Sequence, residues 1–468
     1  MEHDLVVFVP GFLGSRLTRD GRDVWSECGD ALLRSRPTAA ALAPLALPPG
    51  LGDEAPEARF RLVADELLTS PDSMPGLLSC AGYPDLRAAL GDPVDGQYVP
   101  FPYDWRLSHR LVAEELGRRI TRELARWTEQ VDRRYPDRPD EPRVVLVCHS
   151  TGGLVGRYYL ECLGGRDTAR TLVTLGSPNE GMAQALRLLT GHGAGDGSAA
   201  GSAARGLNDV LRAFALGLPS VAQLLPVYDA VRVTGKSRPR TIADDRYPVP
   251  GLPTALVDDA LSFHHAIRSA REAHRRTDPD GRPPYRVYGV GSTAHPTVRT
   301  VALTADGQDV DLSSPAYDLG PGDGTVPRES ALAGWGPEDL EDMLWTDHRH
   351  ADLASSAALG DKVSAIRKGL PVNAMLAGDS QITLHAPAEA VAGKPFEVAV
   401  LGTDLRDRNV RAVMRRFPRG AEQPLLLVRD APGLLRARVE GGPGRWLVEA
   451  FAEDPRHTDK AMITLYTE

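Results

Sequence analysis

The stretch Val144-Val145-Leu146-Val147-Cys148-His149-Ser150-Thr151-Gly152-Gly153-Leu154-Val155 constrains this chain more than any other. Four consecutive apolar residues, Val144 to Val147, put two side chains on each face, as a central strand of a sheet covered on both sides requires. The glycine pair and the apolar Leu154, Val155, Tyr158, Tyr159 and Cys162 suit a helix packed back on that sheet. A serine therefore stands at the corner of a sharp strand-to-helix turn, in C-x-S-x-G spacing. Such a turn lifts the serine Oγ clear of the sheet edge and aims the next backbone N–H at a developing oxyanion. Ser150 is thus the candidate nucleophile. Small residues are needed two before and two after it, because strand and helix backbones approach closely there. Cys148 takes the first of these places instead of a glycine.

A serine nucleophile needs a base to take its proton and an acid to hold that base in one tautomer. In a strand-turn-helix setting the chain order is nucleophile, acid, histidine. Asp323 fits the acid: it lies in Gly320-Pro321-Gly322-Asp323-Gly324-Thr325-Val326-Pro327, a tight loop after a strand. The same Gly-Asp-Gly pattern also suits a plain Asx turn. Of twelve histidines, His348 and His350 lie in the right place, just before an apolar-led helix, and spacing alone does not separate them. His149 is expected to point away from the site by strand alternation. Near the start, Leu5 to Val9 reads as a strand running into Pro10-Gly11-Phe12-Leu13-Gly14. The backbone N–H of Phe12 or Leu13 is a candidate second oxyanion donor, and a simple Pro-Gly turn is the alternative.

Between these motifs the pattern alternates strand and helix. Tyr98 to Phe101 reads as a strand end, and Leu111, Val112, Leu116, Ile120, Leu124, Trp127 and Val131 mark a helix from Ser108 to about Tyr135. Residues 171–175 and 285–291 read as further strands, so a mostly parallel α/β sheet is expected. Residues 33–60 read as an irregular excursion. Gly191 to Gly206 is low in complexity, and Leu207, Val210, Leu211, Phe214 and Leu218 follow on one helical side. This predicts a cap over about residues 183–260, either a mobile lid on a lipidic site or a permanently packed cover. A helix ending at Lys368-Gly369-Leu370-Pro371 closes the first domain, 1–371. From 372 to 468 short alternating runs separated by turn clusters predict an immunoglobulin-like β-sandwich. A length of 468 residues agrees with two domains.

A net charge of −9 argues against nucleic-acid binding, which calls for a basic surface. The four cysteines follow neither a metal-site nor a disulfide-framework spacing, and no metal or cofactor is expected. The first residues show no basic segment followed by an apolar core, and no run of about 18 apolar residues occurs. A cytoplasmic protein without a secretory signal is therefore expected.

Taken together, Val9 to Leu17 (Val-Pro-Gly-Phe-Leu-Gly-Ser-Arg-Leu), Pro-Tyr-Asp-Trp-Arg at 102–106, the His-Ser-x-Gly-Gly turn, Gly-Ser-Pro at 176–178, Pro-Ser-Val-Ala-Gln-Leu-Leu-Pro at 219–226 and Gly-Asp-Gly-Thr-Val-Pro at 322–327 resemble the lecithin:cholesterol acyltransferase-like family of α/β hydrolases. The resemblance spans about residues 5–370, with the six motifs in the family's order. It implies an α/β-hydrolase fold and a triad of Ser150, Asp323 and His350, His350 being favoured over His348 by Leu353 three residues on. It also implies oxyanion donors at the backbone of Phe12 and Thr151, and a lipid or other acyl-ester substrate that a membrane surface could present. Leu13 and Trp105 are then candidates for the substrate pocket, Trp105 being equally suited to anchoring its loop. The expected activity is hydrolysis of lipid carboxylic esters, with acyl transfer to an alcohol as the alternative. An alternative of another class is an inactive hydrolase scaffold whose sandwich docks a protein partner. Cys148, the absent secretion signal and the sandwich itself depart from the family's pattern.

Overall fold

The structure, a computed structural model, describes residues 3–466 apart from 27–38, 70–71, 75–77, 81, 85, 139, 191–208, 235–238, 245–247, 282, 308–318, 334–339, 356, 369–382, 387–388, 402–409, 418, 432–433 and 453–457. The low-complexity segment expected to act as a linker, Gly191 to Gly206, and the expected boundary near 371 lie outside the described residues.

Six parallel strands form the central sheet: β1 (Leu5–Val9), β2 (Tyr98–Pro100), β3 (Val144–His149), β4 (Ala169–Leu175), β5 (Arg286–Ser292) and β6 (Leu340–Thr346). Their spatial order is β6-β5-β4-β3-β1-β2. β1 and β3 are buried at every position, because both faces of a parallel sheet are covered by helices. Helix α1 (His109–Arg134) crosses from β2 to β3. The Ser108 Oγ caps its start by accepting the Arg110 N–H, and Val112, Leu116, Ile120, Trp127 and Val131 form its buried face. It stops at Tyr135, where Pro136 cannot continue the ladder. Helix α2 (Gly152–Cys162) follows β3 directly. The strand order reverses between β1 and β3, and their carboxyl ends leave a crevice, the usual ligand position in an open α/β sheet.

Several strands of this body went unread in the sequence, among them β6 and a hairpin leading to Asp323. β6 forms the edge of the sheet from Leu-Glu-Asp-Met-Leu-Trp-Thr, whose acids mask it as a loop. A hairpin of His295–Val298 and Leu319–Gly322, both containing proline, carries the chain from β5 toward Asp323. Leu211, Phe214 and Leu218 join the main core, and helix α3 (Thr254–Arg275) packs on α2. Helix α4 covers Ala357–Lys368.

The C-terminal region is a β-sandwich. One sheet holds Thr383–His385, Phe396–Leu401, Val428–Ala431 and Leu434–Val439, and the other holds Glu389–Val391, Val410–Arg416, Glu422–Leu425, Gly444–Ala452 and Thr458–Tyr466. Leu384, Val398, Val400 and Leu435 from the first meet Met414, Trp446, Val448 and Ile463 from the second in a core of their own. The chain crosses between the sheets at 425–428: Leu425 ends a strand of one sheet and Val428 opens a strand of the other. Among the described residues, no helix is long and apolar enough to cross a membrane.

Candidate active site

Ser150 sits at the carboxyl end of β3 with φ of 52°, a left-handed conformation that non-glycine residues seldom adopt. The strain is held by packing. A Cβ on Gly152 would lie 2.5 Å from the Val9 carbonyl oxygen, and one on Gly156 would lie 2.8 Å from Cys148 Sγ. The second contact explains the departure at Cys148: its thiol fills room that Gly156, eight residues later, leaves open.

Asp323 and His350 converge on the serine. The Ser150 Oγ lies 2.8 Å from His350 Nε2, and His350 Nδ1 lies 2.7 Å from Asp323 Oδ2. A carboxylate only accepts, so Nδ1 donates to it and Nε2 accepts from the serine hydroxyl. The two readings of Asp323 prove compatible because they use different oxygens: Oδ1 accepts the N–H groups of Thr325 (2.9 Å) and Val326 (2.7 Å), leaving Oδ2 to the histidine. The His350 N–H also donates to the Asp323 carbonyl at 2.9 Å. His348 is turned elsewhere, its nearest carboxylate being Asp347 at 3.7 Å, and burial lowers its pKa. Chemically, this arrangement can move the Ser150 proton to Nε2 while Asp323 stabilises the imidazolium that results.

The strand order and these three positions identify the architecture. The chain has an α/β-hydrolase fold. In this fold Ser150 follows a central strand, and Asp323 and His350 arrive from beyond β5 and β6, in that chain order.

The loop after β1 faces the serine from the neighbouring strand. The Gly14 N–H donates to the Gly11 carbonyl, closing a tight turn in which Leu13 has φ of 65°. The Trp25 indole donates to the Leu13 carbonyl, and the Tyr103 hydroxyl donates to the Pro10 carbonyl. With its proton so used, Tyr103 Oη accepts from the Thr151 hydroxyl at 3.1 Å. Among the described residues, neither the Phe12 nor the Thr151 backbone N–H is donated to another protein group. Thr151 directly precedes α2, whose dipole favours negative charge at that end. Leu13 is fully buried. Trp105 packs edge-on against Phe12 and Trp25, and the adjacent Asp104 and Arg106 form a buried bidentate pair whose guanidinium also reaches the Leu45 and Phe60 carbonyls. The whole site is closed from solvent, with Ser150 at 3% and His350 at 4% exposure.

His149 corrects an expectation. Because the chain leaves strand geometry at Ser150, alternation no longer applies, and the His149 ring lies 5.2 Å from the His350 ring, under the site. Burial, then the neighbouring His350, lowers its pKa to about 3. Tyr83, Tyr103 and Trp25 were not singled out from the sequence. Tyr103 lies inside the Pro-Tyr-Asp-Trp-Arg motif, which was a usable signal; Tyr83, between Gly82 and Pro84, gave none.

No protein-family model matches this sequence, and no curated protein does. Solved structures match at low identity. The Tle4–Tli4 complex matches at 14% identity over 80% of this chain and 99% of that one, with a TM-score of 0.49. The mature form of the lipase BlEst2 from Bacillus licheniformis matches at 13% identity over 75% of this chain and 86% of that one, with a TM-score of 0.26. The M1 domain from titin matches at 10% identity over 17% of this chain and 84% of that one, with a TM-score of 0.13. At such scores these likenesses add nothing to the strand order and the hydrogen bonds.

Proposed function

We propose that this protein is a serine hydrolase that cleaves carboxylic esters of lipids through an acyl-enzyme on Ser150. The observation that carries the reading is the unbroken hydrogen-bonded series Ser150–His350–Asp323, beginning at a strained serine on the carboxyl edge of the sheet. Ser150 Oγ attacks the ester carbonyl carbon as its proton passes to His350 Nε2. The carbonyl oxygen, now negative, is received by the Phe12 and Thr151 N–H groups. Collapse expels the alcohol, which takes the proton from Nε2. Water then attacks the acyl carbon, gives its proton to the same nitrogen, and releases the acid as the proton returns to Ser150.

The six-motif resemblance to the lecithin:cholesterol acyltransferase-like hydrolases supports lipid esters as the substrate class. In this reading residues 1–371 are the catalytic unit, about 183–260 its cap, and 372–468 a separate domain. Fluorophosphonate labelling tests the nucleophile: the wild type is modified and Ser150→Ala is not. A folded wild type that fails to label removes the mechanism. Incubation with phospholipid and an acceptor alcohol then separates the outcomes, free fatty acid marking hydrolysis and a new ester marking acyl transfer. Replacing His348 and His350 separately by Ala checks the base, since only loss of His350 abolishes turnover.

A further inference from the structure

Tyr83 and His149 share a buried hydrogen-bond series with a fixed direction. His149 Nε2 lies 2.9 Å from the His350 carbonyl oxygen, which only accepts, so Nε2 carries the proton. Nδ1 of the neutral ring is therefore an acceptor, and the Tyr83 hydroxyl donates to it at 3.0 Å. The Tyr83 oxygen in turn accepts the Gly11 N–H at 2.8 Å. The series runs from the loop after β1 to the backbone of His350, and all four residues are buried.

Packing fixes the same atoms. A Cβ on Gly11 would lie 2.8 Å from Ser150 Cβ and 3.1 Å from His149 Nδ1, and one on Gly14 would lie 2.8 Å from Tyr83 Oη. The turn 11–14 is thus folded over the Tyr83 phenol. The Tyr83 ring packs edge-on against Phe8 of β1 at 4.9 Å. Its backbone N–H donates to the Leu68 carbonyl, and the Leu68 N–H donates to the Gly14 carbonyl. Burial keeps His149 neutral, as the direction of the series requires, and its ring faces Tyr83 on one side and His350, with Asp323 behind it, on the other.

We infer that Tyr83 and His149 are positioning residues, which lock the loop bearing the Phe12 N–H to the backbone of His350 so that oxyanion donor and base keep one mutual geometry. This rests on the esterase reading of Ser150. Neither residue touches substrate. They act through Gly11 and through the His350 carbonyl, whose displacement by a fraction of an ångström moves the reacting atoms out of line. A low-dielectric interior strengthens such a series and makes any broken member costly.

The experiment uses the full chain and four proteins: wild type, Tyr83→Phe, His149→Gln and Ser150→Ala. Tyr83→Phe removes one hydroxyl and leaves the ring in place, so it is the variant most certain to fold. Its kcat on p-nitrophenyl butyrate is expected to fall by about ten- to a hundredfold with KM nearly unchanged, and fluorophosphonate labelling to slow in parallel. His149→Gln keeps a donor for the His350 carbonyl and is expected to fall less than Tyr83→Phe. Hydrogen exchange of a peptide covering 9–14 is expected to quicken in Tyr83→Phe, reporting the released Gly11 N–H without any turnover. Wild-type kcat in a folded Tyr83→Phe, or unchanged exchange at 9–14, overturns the inference. A wild type that neither labels nor hydrolyses instead overturns the esterase reading, and exchange then decides the tie by itself.

Discussion

The nucleophile half of the proposed site and its acid–base half are built differently. Ser150, Thr151 and the Phe12 loop stand on β1 and β3, adjacent central strands paired at five consecutive positions from Leu5↔Val144 to Val9↔Cys148. Close packing sets their geometry, down to the fit of Cys148 against Gly156. Asp323 and His350 arrive on loops beyond β5 and β6, at and next to the edge of the sheet. Hydrogen bonds set theirs: two N–H groups on Asp323 Oδ1, the His350 N–H on the Asp323 carbonyl, and the Gly324 N–H on Thr297 Oγ1. The corner at Ser150 is fixed by volume, the Phe12 loop by volume and hydrogen bonds together, and the half proposed to move protons by polarity. Packing faults at the corner should therefore appear mainly in stability, and broken hydrogen bonds mainly in rate and pH dependence.

The largest expected effects are on rate. Ser150→Ala should lower kcat by about 10⁶-fold, and combining it with His350→Ala should cost little more, because groups that act as a unit are not additive. Asp323→Asn is the sharper probe. Its side-chain oxygen can still accept from Thr325 and Val326, so the loop should persist. Its amide would then face His350 Nδ1 with a donor, forcing the wrong tautomer, at a cost of about 10⁴-fold in kcat. An Asp323→Asn protein with unchanged melting temperature and near-wild-type kcat would break the assignment of the acid–base half.

Acid should reach both halves through buried neutral histidines. Burial, then His264, lowers the pKa of His109 to about 3; burial, then His350, lowers His149 to about 3; burial lowers His264 to about 4. Above about pH 6.5 neither the folded nor the unfolded chain holds these protons. Below it, the unfolded chain takes protons that the folded chain refuses, so stability falls with pH until each folded-state pKa is passed. Each histidine withdraws up to about 1.4 kcal/mol per pH unit in that window. Melting temperature should therefore drop steadily between pH 7 and pH 5, and His109→Asn should flatten the slope. A melting temperature constant over that range would contradict the buried, neutral state.

The same division explains what the sequence disclosed. β1, β3, α1 and the turn at Ser150 are legible because each is encoded locally: an unbroken apolar run, a 3.6-residue period with Ser108 and Pro136 at its limits, or small residues at a corner. Asp323 and the pair His348/His350 were legible as types in the right order, but choosing His350 needed the resemblance, since two residues of spacing carry no information about which ring turns inward. β6 was hidden by Glu341 and Asp342, which an edge strand tolerates and a central one does not. Tyr83 meets His149 across 66 positions of sequence, and no period or turn signal spans such a distance.

Gly156→Ala tests the packing of the nucleophile half at smaller scale. The new methyl would meet the Cys148 thiol at 2.8 Å, inside a helix and strand that cannot separate. Overpacking of this kind should cost about 1–3 kcal/mol, read as a lower urea midpoint at constant m-value. In a Cys148→Gly background the thiol clash is gone and only the Leu146 Cδ2 at 3.2 Å must give, so alanine's helix propensity should recover up to about 1 kcal/mol. Equal costs in both backgrounds would show that Cys148 does not occupy the room Gly156 leaves.

The smallest expected effect lies where the acid–base half meets the sandwich. Arg349, the residue before His350, donates from Nε at 3.0 Å and also from Nη2 to the Leu384 carbonyl, which belongs to the strand Thr383–His385. Its guanidinium passes 3.9 Å from where a Cβ on Gly324 would stand, beside the acid. Both protonation loops thus lie next to one bond into the C-terminal region. Arg349 is half-buried, so the bond should be worth about 1 kcal/mol. That sets a ceiling of roughly five- to tenfold on any rate it could support. Arg349→Ala should lower stability by that amount and kcat by less than the ceiling, with Arg349→Lys between. A loss of kcat beyond it, with a shifted pH profile of kcat/KM, would mean that the sandwich holds His350 in register through more than this one bond, and the proton-moving half would then extend beyond the α/β body.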